Sequence, residues 1–350
     1  MCCSCLDRFF NRAVLAVKSF TMPAGDLVPP SLTEQHFLLH ALRSTAVRVD
    51  GRKFGQARPV RIEFSNRQGW CQVSLGHTVV VASVDATLGP PRAERPYEGQ
   101  LQITTDIMPM AGVEYDAGGV AGATESRERE ALFDRLVERA VRHTEAIDRE
   151  ALCVIAGKVV WHIHLTVHLL ADHGAPVDAA VLASMVALRH FRRSDVSVAD
   201  GEVTVHSSDE RVPVPLAYHH MPFCMSFAMF ILRPETETER SLLMAQSHTA
   251  STDSQLVDMD VEKEGPKELD IPVALLDPSM LEQTLAHSSI SIVMNAQREV
   301  CVLDKAGGVS LPYQVIMALL KDAAMRAKEL TQLVETALAE DASKRVTSVP

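Results

Sequence analysis

Residues 161–193, WHIHLTVHLLADHGAPVDAAVLASMVALRHFRR, decide how this chain is read. Trp161, Ile163, Leu165, Val167 and Leu169 alternate with His162, His164, Thr166 and His168, the period-two pattern of a strand with one buried face. Asp172, His173 and Gly174 then give a turn signal. Asp178 stands where an N-cap would, ahead of a run of Ala, Val, Leu and Met that ends on Arg189, Arg192 and Arg193. The sequence predicts a helix there, with its cations at the negative end.

Upstream, residues 69–86 (GWCQVSLGHTVVVASVDA) read as a hairpin turning at Gly76, and residues 31–46 as a short helix in which Ser31 and Glu34 have capping-box spacing. A Pro/Gly-rich connection at residues 89–96 carries Arg92 and Arg95, and a strand follows at 100–108. Residues 112–122, with Gly118, Gly119 and Gly122, read as flexible. A helix is expected over 126–143, with Leu132, Phe133, Leu136, Val137, Ala140 and Val141 as its apolar face. Arg135, Arg139 and Arg142 lie within about 60° of one another on its other side.

Downstream, strands are expected at 217–231, 271–276, 289–295 and 299–303. A closing helix over 315–338 would bury Leu319, Leu320, Ala323, Ala327, Leu330 and Val334. Residues 235–267 are polar and acidic with a Ser/Thr-rich middle, and read as a disordered surface insertion. Strands followed by helices occur twice. The fold class is therefore α+β, with two successive βα halves whose mixed sheets pack on helices. Sequence identity between the halves is too low to make them a repeat, and their relatedness is what the family resemblance given below implies. The first half spans 25–195 and the second 196–340, with the acidic insertion at about 235–268, an extension at 1–24 and a tail at 341–350.

The chain has 350 residues, 47% of them hydrophobic and only 5% aromatic, enough for a sizeable, mainly aliphatic core. The net charge of −11 argues against nucleic acid only in bulk. Residues 235–270 hold ten acids and three bases, a balance of −7, which leaves −4 for the rest. The seven cysteines are scattered, as fits a reducing compartment. No apolar run approaches the ~20 residues that span a bilayer, so no membrane is expected. Cys2, Cys3 and Cys5 beside Arg8, Phe9, Phe10 and Arg12 raise acylation or organelle targeting. Asp7 and the lack of a cleavage-type apolar core favour a plain disordered extension.

His162, His164 and His168 share one strand face, and His219 and His220 can join them, which raises a zinc site. No Cys or carboxylate cluster completes the ligand set, so polar residues on a half-exposed strand are the preferred reading and no metal is expected. Asp172 and Asp178 raise an acid/base pair. Phosphorolysis needs a bound phosphate, hence Arg and hydroxyl or amide donors nearby. The turn between the two aspartates offers only His173 and backbone amides. The arginine stripe has two readings as well. Charged helix faces are usually solvated, and Arg135 and Arg139 can pair locally with Glu138 or Asp134; arginine, however, suits bidentate phosphate contact.

Further segments carry a resemblance: RVDGR at 48–52, the hairpin at 69–86, CVIAGKVVW at 153–161, HFRRSDVSV at 190–198 and PVPLAYHHMP at 213–222. Together with residues 161–193, and in the same order, they resemble the RNase PH family of phosphate-dependent 3′-exoribonucleases and its exosome-ring relatives. Active members read roughly D-V-L-Q-A-D-G-G-[ST]-R at the turn. Here Asp172 stands near the aspartate position, and HGAPV at 173–177 replaces the phosphate-holding run. The resemblance implies a ring subunit with no catalytic residues, no metal and no cofactor. It implies a heterodimer with a second RNase PH-like subunit inside a six-membered ring, S1/KH-domain caps, single-stranded RNA, and an associated hydrolytic exonuclease. It places RNA contacts at Arg135, Arg139 and Arg142, at Arg127 and Arg129 upstream, and at Arg92 and Arg95 by the channel entrance. The implied locations are the nucleus, with its nucleolus, and the cytoplasm. An active phosphorolytic exoribonuclease and an interaction protein acting through the acidic insertion are the alternatives.

Overall fold

The computed structural model describes residues 30–112, 115, 122–199, 202–207, 210–246, 271–305, 307–308 and 310–347. The extension at 1–24, most of the glycine-rich connection and the middle of the acidic segment (247–270) lie outside the described residues.

Six strands form the first sheet: β1 (Val60–Phe64), β2 (Trp70–Leu75), β3 (Thr78–Gly89), β4 (Gln100–Ile107), β5 (Cys153–Ile155) and β6 (Val159–Ala171). Their order is β1-β2-β3-β6-β4, with β5 pairing on β6. Only β4 runs parallel to β6, because the chain crosses over between them through helix α2 (Gly122–Val141). The predicted alternation is borne out: Trp161, Ile163, Leu165, Val167 and Leu169 are buried, while the intervening histidines are half-exposed. Gly76 turns the hairpin at φ +60°.

Helix α3 (Pro176–His190) follows, and after it the short strands β7 (Arg192–Arg193), β8 (Val196–Ala199), β9 (Glu202–Val205) and β10 (Val214–Pro215). The second sheet comprises β11 (Phe223–Leu232), β12 (Ile271–Leu276), β13 (Ser288–Met294) and β14 (Val300–Lys305), all antiparallel, in the order β12-β11-β13-β14. α3 lies between the sheets, against β2, β3 and β6 on one side and β11 on the other. Its Ala179, Ala180, Ala183 and Ala187 let both sheets approach closely, and Val177 and Arg189 are its only residues that are not buried. One apolar core therefore runs from Val73 through Ala183 to Phe227 and on to Val334.

Helix α1 (Leu32–Ser44) opens with the predicted capping box: Ser31 Oγ accepts from Glu34 N–H, and Ser31 N–H donates to Glu34 Oε2. It packs on the second sheet, although its sequence position assigns it to the first half. Leu38, Leu42 and Phe54 meet Phe230, Leu232, Ile271 and Val273. β11 is thus buried on both faces, with Met225, Phe227 and Met229 turned to the main core, which accounts for its nearly unbroken apolar run.

Two further expectations are corrected. The start of the acidic segment is ordered: Glu237–Gln246 forms helix α4, which buries Leu243 on α1's cluster, and Glu235 pairs with Arg43 at 2.7 Å. Its apolar residues have a partner face that composition alone conceals. The closing helix α6 (Tyr313–Thr347) runs nine residues beyond the predicted end, through most of the supposed tail. Arg345 near its end donates to the backbone oxygens of Ser65 and Asn66 beside the first sheet. Its predicted stripe is buried except for Leu320, which is half-buried. Between β12 and β13 lies the short helix α5 (Met280–Leu285). Among the described residues no helix is long and apolar enough to cross a membrane.

Candidate functional site

The turn from β6 into α3 is where the sequence resemblance puts a phosphate. A helix N-terminus binds anions through amides left free by the helix ladder. Here three amides of the turn that leads into the helix are taken. His173 N–H donates to Thr78 Oγ1 (3.2 Å), Gly174 N–H to Asp172 Oδ1 (2.8 Å) and Ala175 N–H to Gln283 Oε1 (3.2 Å). Pro176, at the first helical position, has no N–H to offer. Asp172 is buried, and its other oxygen accepts from the Tyr115 hydroxyl at 2.6 Å.

The carbonyls of the same turn are held by a group that sequence reading missed. Arg58 donates to His173 O (3.1 Å) and Gly174 O (2.8 Å), while its Nη2 meets Asp277 Oδ1 at 2.6 Å. Arg48, from the RVDGR motif, is wholly buried against Glu282 and also donates to Leu276 O (2.6 Å). Arg52 adds a contact to Asp277 at 3.3 Å. Gly174 sits at φ +101°, where a Cβ would come within 2.3 Å of Pro278 O. The turn is thus clamped onto the segment between β12 and α5 through the buried Arg58–Asp277 pair, and a second buried pair, Arg48–Glu282, ties the RVDGR motif to α5. No local signal reveals this, since each arginine lies more than two hundred residues from its carboxylate.

The sequence expects Asp178 to cap α3. Instead the cap position is Ala175, at φ +49°, and Asp178 lies in the first turn. It reaches the second sheet, accepting from Ser226 N–H (2.8 Å) and Ser226 Oγ (2.7 Å). Burial pushes this carboxyl up to about 6, against the Ser226 hydrogen bonds, which pull it down. Asp172 and Asp178 each satisfy the fold around them.

The histidines are likewise engaged locally. His162 Nε2 lies 2.9 Å from Pro90 O, His164 Nε2 lies 3.3 Å from Thr87 Oγ1, and His168 lies 3.4 Å from Asp106. His220 is 3.8 Å from the Cys301 sulfur. Among the described residues no three His, Cys, Asp or Glu side chains gather at metal-binding distance.

The arginine face of α2 divides into three kinds. Arg127 and Arg135 are exposed, and Arg135 has no ion-pair partner among the described residues. Arg139 and Arg142 are half-buried and charge-matched, Arg139 with Asp304 of β14 at 3.2 Å and Arg142 with Glu138 at 2.5 Å. Arg129 is only 3% exposed, which removes it from any nucleic acid approaching this face. Its position on the helix turns it towards the protein, a correction to the expectation that it faces phosphate. Arg92 and Arg95 are exposed and joined only through the backbone, Arg95 N–H donating to Arg92 O at 3.1 Å, and the Arg95 side chain pairs with Glu98 at 3.1 Å.

The 3′ exoribonuclease family matches this chain twice, its domain 1 over residues 56–194 and its domain 2 over residues 273–326. The exosome complex component rrp45 of Schizosaccharomyces pombe is 34% identical over 317 residues, covering 91% of this chain and 94% of that protein. RRP45 of Saccharomyces cerevisiae is 32% identical, covering 90% and 93%. Human RRP45, the polymyositis/scleroderma autoantigen that residues 153–161, 190–198 and 213–222 resemble, is 35% identical. That alignment covers 91% of this chain and 62% of the longer human protein. Among solved structures, a chain of the Archaeoglobus fulgidus exosome with RNA bound to the active site superposes with a TM-score of 0.62. At 21% identity, over 86% of this chain and 97% of that one, it shows the shared fold. Two matched family domains, and relatives aligned over nine-tenths of the sequence, make this chain a member of the RNase PH family of 3′ exoribonucleases.

Proposed function

We propose that this chain is a non-catalytic RNase PH-like subunit of an exosome core ring, acting as scaffold and as part of the path for single-stranded RNA. One observation carries the non-catalytic part. At the turn where phosphate would be held, the amides of His173, Gly174 and Ala175 serve the protein's own acceptors, and the guanidinium that reaches the turn, Arg58, is paired with Asp277. A phosphorolytic centre needs those donors free and a positive charge uncompensated. The exosome names of the relatives support the ring role. Its partners in this proposal are a second RNase PH-like subunit in a heterodimer, the other members of a six-membered ring, S1/KH-domain caps, an associated hydrolytic exonuclease and RNA. The work would be done in the nucleus, including the nucleolus, and in the cytoplasm.

Exposure ranks the RNA contacts. Arg135 and Arg127 are the strongest, since each is open to solvent on one helix face. Arg139 and Arg142 must first give up carboxylates, and Arg92 and Arg95 guard a loop further away. Phosphate contacts of this kind position a strand without reading its bases. Affinity purification of the full chain from native extract tests the assignment. Stoichiometric RNase PH-like and S1/KH-domain subunits are expected, and their absence from a folded, soluble preparation contradicts it.

A further inference from the structure

A cavity of about 540 Å³ lies at the end of α3 opposite the clamped turn, between that helix, β10 and the last turns of α6. Leu216, Leu338 and Ala342 make its apolar walls, and Gln68, Arg189 and Arg192 its polar part. The Arg189 guanidinium lies 3.7 Å over the Tyr218 ring. No acceptor among the described residues takes any of its N–H groups, and burial pulls its pKa down. Arg192 donates from Nη1 to the carbonyls of Arg189 and Phe191 and has no carboxylate within ion-pair distance.

The other charges of the cavity cancel. Arg345 pairs with Asp341 at 2.5 Å, and His190 lies 3.2 Å from the same carboxylate. Glu335 acts on Arg189 only from beyond ion-pair reach. Two half-buried guanidiniums are left unmatched, where partly buried charges are ordinarily paired. The negative end of α3 works against an anion here, but Arg192 already occupies its last carbonyls.

We propose that this cavity binds a phosphate monoester of mononucleotide size. The charge count selects it: a phosphate monoester carries about −1.5 to −2 at neutral pH and matches both arginines, whereas a carboxylate matches one. The volume suits a small ligand, for which pockets run to roughly 300–1,000 Å³. The phosphate sits between Arg189 and Arg192, the apolar part packs on Leu216 and Leu338, and the Gln68 amide meets its polar edge. This site is separate from the phosphate turn of the family.

Calorimetric titration of AMP, adenosine and inorganic phosphate into the full chain, in complex with its ring partner, tests this. AMP should bind saturably at one site, inorganic phosphate more weakly, and adenosine not detectably. Arg189→Ala and Arg192→Ala should each weaken AMP at least tenfold. Arg189→Lys should fall between, since it keeps the charge and loses the planar fork. Where a variant fails to fold, phenylglyoxal labelling of the wild-type chain gives the second readout, with Arg189 expected to be protected by AMP. AMP binding that is unchanged in Arg189→Ala, with Arg189 unprotected, overturns the proposal. So does the lack of saturable binding, whether water or a segment of a neighbouring subunit fills the cavity.

Discussion

Asp178 is held between the first turn of α3 and Ser226 of β11, where burial raises its carboxyl to about 6. A folded-state value above the unfolded one means that the folded protein holds this proton more tightly. The contribution is therefore present below about pH 4 and is lost as pH rises from there to about 6. Asp178→Asn keeps an acceptor for Ser226 and removes the titration. The difference between wild type and this variant in urea midpoint should change across pH 4 to 6 and be flat above about 7. A difference independent of pH would show that Asp178 ionises normally. Arg135 gives a second test at this scale. In the assembled ring, Arg135→Ala should reduce the slope of log affinity for single-stranded RNA against log salt by about 0.7, as expected for one lost phosphate contact. Arg139→Ala and Arg142→Ala should change it less, because Asp304 and Glu138 already balance those charges. An unchanged slope in Arg135→Ala, with the ring intact, would make this face merely solvated. The stripe itself was legible from helical spacing. The pairing of Arg139 was not, since Asp304 comes from a strand 165 residues away.

At the scale of elements, buried ion pairs hold the turn before α3 and the RVDGR motif against the β12–α5 segment. Glu282→Ala leaves Arg48 buried with no counter-charge and should cost about 3–5 kcal/mol of stability. Replacing both partners with apolar residues should cost less than the sum of the single changes, which a double-mutant cycle by chemical denaturation measures. Additive costs would mean that the pair does not couple the RVDGR motif to α5. The acidic segment divides in the same way. Removing 247–265 leaves Leu243 and the Arg43–Glu235 pair in place, and thermal stability should stay near wild type. Removing 236–265 also removes the buried Leu243 and should cost about 2–5 kcal/mol. Equal stability of the two deletions would show that α4 contributes nothing. The strands of β3 and β6, the capping box of α1 and the stripe of α6 were all legible, because each is a periodic or short-range signal. The α1 docking face and helix α4 were not, because each depends on a face formed by distant chain.

Across the whole molecule, α3 joins the two halves into one core, so the tandem α+β arrangement seen in the sequence behaves as a single body. The same closeness leaves no room for a side chain at Gly174, which sits against the backbone of the second half. Apolar side chains remain on the surface, among them Phe37, Val212 and Tyr313 at 64%, 85% and 72% exposed. Such exposure fits a subunit that buries them against neighbours, and an obligate interface should exceed about 2,000 Å². Expressed alone, the chain should self-associate; with an RNase PH-like partner it should sediment as a one-to-one dimer, and a stable monomer in both cases would contradict this. The most direct test of the central claim is the release of nucleoside diphosphates from single-stranded RNA by the purified full chain, with and without inorganic phosphate. No release above the RNA-only control is expected in either condition, for wild type and Asp172→Asn alike. Phosphate-dependent release that Asp172→Asn abolishes would show that the turn is a working phosphorolytic centre.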